Sequence, residues 1–322
     1  MIFPKHKKEN ITVGVTACSS GIFDKLEKYE DSINNVKEYG FNIIETNNVR
    51  TSGVVSSDNV TRWKELKSLY LDNNVDVISI ASGGNFLIDM LSLVDFDLIK
   101  NNVKWICGSS DPTSLLFTIT TKLDIATIYS PCNMSGFNIK PLHESYLNYF
   151  EIIKGNYVRQ NKYLKCENES FSDVLDKDNE WININGNVDE TGTLIGGCIE
   201  CLKDIIGTKY DNTKAFISKH DNIIWYFDVF SMTSEDLYNT LIQFRDAGWF
   251  VNTKAILIGK VCFPNTFVDM SYEELISKAI PDIKVVYKFD VGHVKPSFTM
   301  INGANVRVVS NKEEGYLEYL NK

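Results

Sequence analysis

Short apolar runs alternate with segments of helical period over residues 11–130, and this alternation restricts the fold more than any other feature of the sequence. The apolar runs are "ITVGVTA", "FNIIET", "VDVISIA", "VKWIC" and "IATIYS". The helix-period segments cover residues 22–39, 58–73, 85–101 and 112–123. Such alternation is typical of βαβ units, whose parallel strands are covered by helices on both faces. We therefore predict an α/β fold with an N-terminal doubly wound, flavodoxin-like parallel-sheet domain over residues 1–155.

The pattern changes in the middle of the chain. Residues 156–190 are polar, acidic and rich in turn-forming residues, with Trp181 as an isolated aromatic residue. We expect a linker and surface excursion there. Residues 191–322 return to apolar runs, "GTLIGG", "NIIWYFDVF", "KAILIGKV" and "IKVVYKFDVGH", with short helix-period segments between them. This order predicts a C-terminal strand-rich α+β domain, and a length of 322 residues agrees with two domains.

Composition excludes several classes of function. The net charge of −9 and a pI near 5.1 argue against nucleic-acid binding, because phosphate neutralisation needs clustered Lys and Arg. No stretch approaches the roughly 18 apolar residues of a membrane span, and "MIFPKHKKEN" lacks the apolar core of a signal peptide. We expect a cytoplasmic protein with no nucleic-acid or membrane partner.

The seven cysteines are scattered along the chain, which suits buried free thiols better than a disulfide framework. Cys198 and Cys201 form a CxxC pair, but no second Cys/His pair with zinc spacing lies nearby. We expect two core-facing residues one helical turn apart, with redox or metal use of the pair as the alternative. No metal site is predicted.

A glycine and two serines stand where the apolar run "VKWIC" meets the helix-period segment that follows Pro112. A tight strand-to-helix turn of this kind exposes a side-chain hydroxyl and directs backbone N–H groups into the same space. Gly108 makes the turn possible, and Ser110 is the candidate nucleophile. The commoner role of Ser109 or Ser110 at such a place is to cap the following helix.

A serine nucleophile needs a base, and His293 is the candidate among four histidines. It follows a glycine just beyond the strand "VVYKFD", at the mouth of a loop. A third group should orient the imidazole, and Asp228 ends the apolar strand "NIIWYFD" in a comparable position. His6, His143 and His220 stand in a terminus, at a helix start and in a turn, so they are weaker candidates. The chain order is therefore serine, acid, histidine.

Several motifs in the same order resemble the L,D-carboxypeptidase family of serine peptidases, which also contains the microcin C self-immunity peptidases. The first block is "SGGNFLIDML" followed by "VKWICGSSDPTSLL". Further matches are "KEYGFNII", "GTLIGG", "WYFD" before a helix, "AGWF" with "AILIGK", and a Gly-His pair near the end. Several ordered motifs are far more specific than any single one.

The resemblance implies roles for individual residues. Ser110 would be the nucleophile, His293 the general base, and Asp228 occupies the position of the family's catalytic glutamate. The backbone N–H groups of Gly84 and Asp111 would form the oxyanion hole. Gly83, beside Gly84, would line the substrate site. No metal or organic cofactor is required for this acyl-transfer chemistry.

The chain departs from the family pattern at two positions. Asp228 is one methylene shorter than glutamate, and a loosely held orienting acid can cost several powers of ten in rate. Either its strand sits closer to His293, or Glu200 or Glu235 assists, or the protein is a weakly active or inactive binding homologue. Cys198 stands where the family usually has asparagine, which alters the neighbouring pocket wall.

The resemblance leaves two substrates open. L,D-carboxypeptidases release the terminal D-alanine of cytoplasmic murein tetrapeptides, whereas the immunity members cleave an amide in aminoacyl-nucleotide antibiotics. The partner is thus a small peptide or a peptidyl-nucleotide. Trp181 could stack on a nucleobase, or it could pack under its own loop. By the same resemblance we expect a homodimer.

A mechanism based on cysteine is the remaining alternative from another class. Cys107 immediately precedes the turn glycine, and it would be the nucleophile of a glutamine-amidotransferase-like enzyme. However, its side chain is expected to point into the sheet. A buried, inert thiol would remove this alternative.

Overall fold

The computed structural model describes residues 1–320, which divide into two compact units. The first unit spans Met1–Asn156 and the second begins at Tyr157. The fold is mixed α/β, with a parallel sheet in the first unit and a strand-rich second unit. The predicted fold class is confirmed.

Five parallel strands form the sheet of the first unit. They are β1 (Thr12–Thr16), β2 (Asn42–Glu45), β3 (Val77–Ile80), β4 (Trp105–Gly108) and β5 (Thr127–Tyr129). Their order across the sheet is β2-β1-β3-β4-β5, and every neighbouring pair is parallel. This is the flavodoxin-like order, in which ligands bind outside the carboxyl ends of the strands. The loops that follow β1, β3 and β4 therefore lie at the functional edge.

Helices connect these strands. They are α1 (Leu26–Glu38), α2 (Asn59–Leu71), α3 (Phe96–Asn101), α4 (Thr113–Leu123) and α5 (Glu144–Ile153), with 3-10 helices at Phe23–Lys25, Leu87–Leu93 and Met134–Gly136. The segment expected to be helical over 85–101 is thus split into a 3-10 helix and a short α-helix. The Asp95 side chain accepts a hydrogen bond from the Leu98 N–H at 3.0 Å, which starts a new helix there.

The second unit is built on a sheet of eight strands. The strands of this unit are β6 (Gln160–Asn161), β7 (Lys165–Glu167), β8 (Leu175–Asp178), β9 (Ile182–Ile184), β10 (Val188–Cys198), β11 (Ile223–Asp228), β12 (Thr253–Gly259), β13 (Lys284–Phe289), β14 (Met300–Asn302), β15 (Asn305–Ser310) and β16 (Gly315–Tyr319). The eight-stranded sheet contains all of these except β7, β8 and β14. The order in the sheet is β6-β16-β15-β10-β11-β12-β13-β9. The four central strands, β10 to β13, are parallel, and antiparallel strands flank them on both sides. β7 and β8 pair as the hairpin.

Four helices accompany this sheet: α6 (Ile199–Ile205), α7 (Thr213–Ile217), α8 (Ser234–Asp246) and α9 (Tyr272–Ala279). The helix α9 begins with a capping box, in which Ser271 and Glu274 each accept a hydrogen bond from the other's backbone N–H. Trp225 of β11 stacks on Trp249 with ring centroids 5.6 Å apart, in the buried core. Within residues 1–320 no helix has the length and apolarity required to cross a membrane.

The predicted linker at 156–190 differs from the structure. It supplies β6 to β9, and two of these four strands belong to the main sheet. β9 pairs with β13, with Ile184 opposite Val285, and Asn183 donates from Nδ2 to the Ser310 carbonyl at 2.9 Å. These strands are two to four residues long and interrupted by turn formers, so their alternation was too short to distinguish from a loop.

Candidate active site

Ser110 lies in a tight turn between a strand and a helix of the first unit. β4 ends at Gly108 and α4 begins at Thr113, whose N–H donates to the Ser110 carbonyl at 2.8 Å. Ser110 has a φ of 67°, a left-handed conformation that is uncommon for a residue with a side chain. A strained serine between strand and helix is the geometry of a nucleophile elbow. A Cβ at Gly108 would lie 2.8 Å from the Pro112 Cβ, so only glycine fits there.

Two side chains missed by the sequence analysis hold this turn. The Ser110 N–H donates to the Tyr129 hydroxyl at 2.9 Å. Asn133 brackets Ser109, because its Oδ1 accepts from the Ser109 N–H and its Nδ2 donates to the Ser109 carbonyl, both at 3.0 Å. Tyr129 ends β5 and Asn133 follows it, in the loop at the neighbouring strand's carboxyl end. Their place at the carboxyl end of a strand next to β4 is the one sequence feature that could have indicated a role at the site.

Gly83 and Gly84 follow β3 and lie against the serine turn. A Cβ at Gly83 would be 3.2 Å from the Ser110 Cβ and 3.3 Å from its Oγ. A Cβ at Gly84 would be 2.2 Å from the Ser19 Oγ. The absence of side chains at Gly83 and Gly84 therefore lets the loop after β3 lie directly against Ser110 and Ser19. Among residues 1–320, the N–H groups of Gly84 and Asp111 donate no hydrogen bond to the backbone, so both remain available as donors.

The Asp111 carboxylate ties the serine turn to its neighbours. It is buried, and it accepts hydrogen bonds from the Ser19 hydroxyl and from the Leu87 N–H, the latter at 3.0 Å. Burial raises the pKa of Asp111, while the hydrogen bond from Ser19 and those from the backbone at Phe86 and Leu87 oppose that rise. Because these donors come from the loops after β1 and β3, Asp111 fixes three loops to one another.

Asp228 and His293 form a buried acid–imidazole pair in the second unit. Asp228 is the last residue of β11 and is fully buried, and His293 lies in the loop after β13. The His293 Nδ1 is 3.0 Å from Asp228 Oδ1 and 2.8 Å from Oδ2, and the His293 backbone N–H donates to Oδ1 at 3.1 Å. A carboxylate at Nδ1 holds the proton on that nitrogen, which leaves Nε2 to accept one.

Gly292 explains how an aspartate reaches this imidazole. It has a φ of +113°, and a Cβ there would lie 2.1 Å from Asp228 Oδ1. The Gly292 N–H donates to the Ser297 hydroxyl at 2.9 Å, which fixes the loop. Because Gly292 has no side chain, the backbone before His293 can approach Asp228 closely enough for the short aspartate side chain to reach the imidazole.

Glu200 supports the pair from the first turn of α6. Its Oε1 accepts the N–H groups of Phe230 at 3.0 Å and Ser231 at 2.9 Å, just after Asp228. Burial lowers the pKa of His293, but the charge of Asp228, its hydrogen bond and the charge of Glu200 raise it, and the pKa is raised overall. Glu235 instead accepts from the Phe267 N–H at 2.6 Å.

Trp181 packs within its own unit. Its ring centroid is 4.4 Å from that of Phe289 and 5.9 Å from that of Phe298, and a Cβ at Gly315 would lie 2.9 Å from its ring. This is the packed arrangement that the sequence left open. Other aromatic rings surround His293 instead: Phe230 at 4.7 Å and Phe171 at 6.4 Å between centroids, with Phe263 5.2 Å from Phe230.

Cys107 lies in β4 and is fully buried. Burial raises the pKa of its thiol to about 12, although a hydrogen bond with Tyr149 opposes that rise. A protonated thiol without solvent access is a poor nucleophile. The geometry therefore disfavours a cysteine mechanism. In the described part of the chain, no group of three or more His, Cys, Asp or Glu side chains is arranged to hold a metal ion.

Comparison with protein families assigns both units. Residues 13–130 match the LD-carboxypeptidase N-terminal domain, and residues 191–308 match the LD-carboxypeptidase C-terminal domain. The two matches cover most of the chain and fall on the units that carry Ser110 and the Asp228–His293 pair. The chain belongs to the LD-carboxypeptidase family and is an enzyme of the carboxypeptidase class.

Individual relatives agree with this assignment. A Vibrio cholerae protein named "putative carboxypeptidase" is 26% identical, over 87% of this chain and 85% of its own. A Bacillus subtilis protein named "probable murein peptide carboxypeptidase" is 23% identical, over 98% of this chain and 94% of its own. Among solved structures, the microcin C7 self-immunity protein MccF in complex with aspartyl sulfamoyl adenosine superposes with a TM-score of 0.84, 18% identity and coverage of 99% and 98%. The last comparison shows a shared fold.

Proposed function

We propose that this chain is a serine carboxypeptidase that hydrolyses the terminal L,D-amide bond of a murein peptide. Ser110 is the nucleophile, His293 the general base and acid, and Asp228 the group that orients the imidazole. The N–H groups of Gly84 and Asp111 stabilise the oxyanion, and Gly83 lines the site of the scissile bond. The proposal includes a cytoplasmic location and a homodimer, which the family resemblance suggests.

The reaction proceeds by acyl transfer. His293 Nε2 takes the proton of Ser110 Oγ as that oxygen attacks the amide carbonyl carbon, and the carbonyl oxygen becomes the oxyanion. The tetrahedral intermediate collapses when His293 gives the proton to the leaving amine. Water then attacks the acyl-enzyme by the same steps, which releases the acid and restores Ser110. The Asp228 carboxylate stabilises the imidazolium formed in each half.

The observation that carries the proposal is the Asp228–His293 pair, with a carboxylate oxygen 2.8 Å from Nδ1. Surface histidines pair with carboxylates without consequence, but this acid is fully buried. A buried charge persists only where partners compensate for its desolvation. The strained φ of 67° at Ser110 supports the same mechanism from the first unit. Both features argue against an inactive binding homologue.

The choice of a murein peptide rests on the Bacillus subtilis relative, whose name states that substrate and which matches 98% of this chain. The Ser110 nucleophile would then form an ester with the peptide that remains.

A second candidate function, cleavage of an aminoacyl-nucleotide, is favoured by the aromatic rings around His293. Phe171 is 53% exposed and Phe263 is 47% exposed, and their ring centroids are 5.9 Å apart. Exposed aromatic rings beside a proposed catalytic histidine offer a stacking surface for a planar base. Phe171 and Phe263, rather than Trp181, would supply this surface.

Product analysis by mass spectrometry tests both. Wild type and Ser110→Ala are incubated separately with a murein tetrapeptide and with a glutamyl-sulfamoyl-adenosine. Release of D-alanine by the wild type, and its absence with the variant, supports the proposed function. Cleavage of the second compound alone supports the second candidate. If neither compound is cleaved by the wild type, or if Ser110→Ala retains full activity, the proposed function is wrong.

A further inference from the structure

The CxxC pair lies directly beside the Asp228–His293 pair. Cys198 is the last residue of β10, and in the parallel pairing of β10 with β11 it stands opposite Asp228. Cys198 is also the N-cap residue of α6, which places Cys201 at the third position of that helix. The mechanism proposed above uses neither thiol.

The two thiols are close enough to react. Positions three apart on a helix have Cβ atoms about 5–6 Å apart, whereas a disulfide needs Cβ atoms about 3.5–4.5 Å apart, so closing the bond requires the two residues to approach by about 1–2 Å. The side chains of Cys198 and Cys201 are within hydrogen-bonding distance of each other. Cys198 is buried, whereas Cys201 is partly exposed. An oxidant can therefore reach one thiol, with the other next to it.

Cys198 is connected to the residues that follow Asp228. Its Sγ donates to Glu200 Oε2 at 3.2 Å, and the other oxygen of Glu200 accepts the N–H groups of Phe230 and Ser231. The Cys198 thiol is thus hydrogen-bonded to the same carboxylate that fixes the backbone just after Asp228. Forming a disulfide removes this hydrogen and draws Sγ towards Cys201.

We propose that Cys198 and Cys201 are a redox-sensitive pair, and that their oxidation to an intramolecular disulfide lowers the hydrolytic activity. The proposal rests on the proposed catalytic function of Asp228 and His293. It assigns a role to the cysteine that stands where the resembled family usually has asparagine, a residue that cannot form a disulfide.

The oxidation is a thiol–disulfide exchange with a small-molecule disulfide. The Cys201 thiolate attacks one sulfur of the oxidant and releases one small thiolate, leaving a mixed disulfide on Cys201. Cys198 then loses its proton and attacks the Cys201 sulfur, which releases the second small thiol. Two protein thiols are oxidised, and one disulfide is reduced to two thiols.

The test uses oxidised glutathione on the full-length protein, followed by alkylation and peptide mapping without reduction. The expected result is a Cys198–Cys201 disulfide and a fall of roughly tenfold or more in kcat/KM, because a misplacement of about 1 Å can cost about 10²-fold. Dithiothreitol should restore the activity. Cys201→Ser should have the wild-type kcat/KM, and oxidised glutathione should not lower it. Cys132→Ser, which removes another partly exposed thiol, should remain sensitive.

Three results would overturn the proposal: no Cys198–Cys201 disulfide, a disulfide that leaves kcat/KM unchanged, or equal sensitivity in Cys201→Ser. A failure of the proposed function is distinguished by a readout that needs no substrate. The NMR titration of the His293 ring should change on oxidation, since Glu200 and Asp228 both act on it. If the reduced protein hydrolyses neither compound, the His293 titration tests the redox proposal by itself. A titration that changes when the disulfide forms supports the proposal, and one that is unchanged in a protein with the mapped disulfide overturns it.

Discussion

Replacing Gly292 by alanine should disable the enzyme while leaving the fold intact. The new Cβ would lie 2.1 Å from Asp228 Oδ1 and 2.6 Å from its Cγ. Ordinary contact between non-bonded atoms begins near about 3.5 Å, so the acid and the loop must separate by more than about 1 Å. The hydrogen bond between His293 Nδ1 and Asp228, now 3.0 Å, cannot survive that shift.

The size of the effect follows from two limits. A misplacement of about 1 Å in a catalytic group can cost about 10²-fold in rate, or about 2.7 kcal/mol. Complete loss of the orienting acid in a serine triad costs about 10⁴-fold in kcat. We therefore expect kcat/KM of Gly292→Ala to fall between these limits. The left-handed φ adds about 1–2 kcal/mol of destabilisation when a side chain is present.

Gly186→Ala is the matched control. Gly186 belongs to the same unit, and its φ of +117° is close to the +113° of Gly292. A Cβ at Gly186 would meet no atom of residues 1–320 within 4 Å. Both variants carry the backbone strain, so both should lose stability in urea unfolding, and Gly292→Ala should lose more because its Cβ also clashes with buried Asp228. Only Gly292→Ala should lose hydrolysis of the murein tetrapeptide. If the two variants lose activity equally, or if neither does, the argument from Asp228 contact is refuted.

Three further predictions concern the acid, the base and the buried thiol. Asp228→Glu should lower activity despite the family resemblance. An extra methylene in a filled, fully buried site costs about 1–3 kcal/mol of folding stability and shifts the neighbouring groups, among them the imidazole. An equal or higher kcat/KM would contradict the packing argument. Because the pKa of His293 is raised, kcat/KM should rise with pH through an apparent pKa above the ordinary value of about 6.5, and Asp228→Asn should move that pKa down. The stabilisation by protonated His293 is present below the ordinary pKa and is lost as pH rises through the raised one, which urea unfolding across that range should show. Cys107 should resist thiol reagents until the protein unfolds; modification in the native state with loss of activity would revive the cysteine mechanism.

The parallel sheet of the first unit was predictable because both of its faces are covered. Its strands are continuous apolar runs such as "VDVISIA", and helix-period segments separate them. The second unit was harder where strands are short. β6 and β9 gain stability from pairing with β16 and β13, which are far away in the chain, so their local sequence carries little signal.

The site shows the same division. Ser110 and His293 were visible because glycines mark the turns that hold them. Tyr129 and Asn133 act through hydrogen bonds to the backbone of the serine turn, and no spacing rule reveals such contacts. How Asp228 reaches the imidazole also needed coordinates, since it depends on the missing side chain of Gly292. Trp181 could only be placed by the rings of Phe289 and Phe298.

The central claim is that Ser110 and the Asp228–His293 pair act in one reaction, and a double-mutant cycle tests it most directly. Release of D-alanine from a murein tetrapeptide is measured for the wild type, Ser110→Ala, His293→Ala and the double variant. Residues that act as one catalytic unit are strongly non-additive. The account predicts that the double variant is no slower than either single variant. Losses that multiply, or a Ser110→Ala variant that retains wild-type kcat, would contradict it.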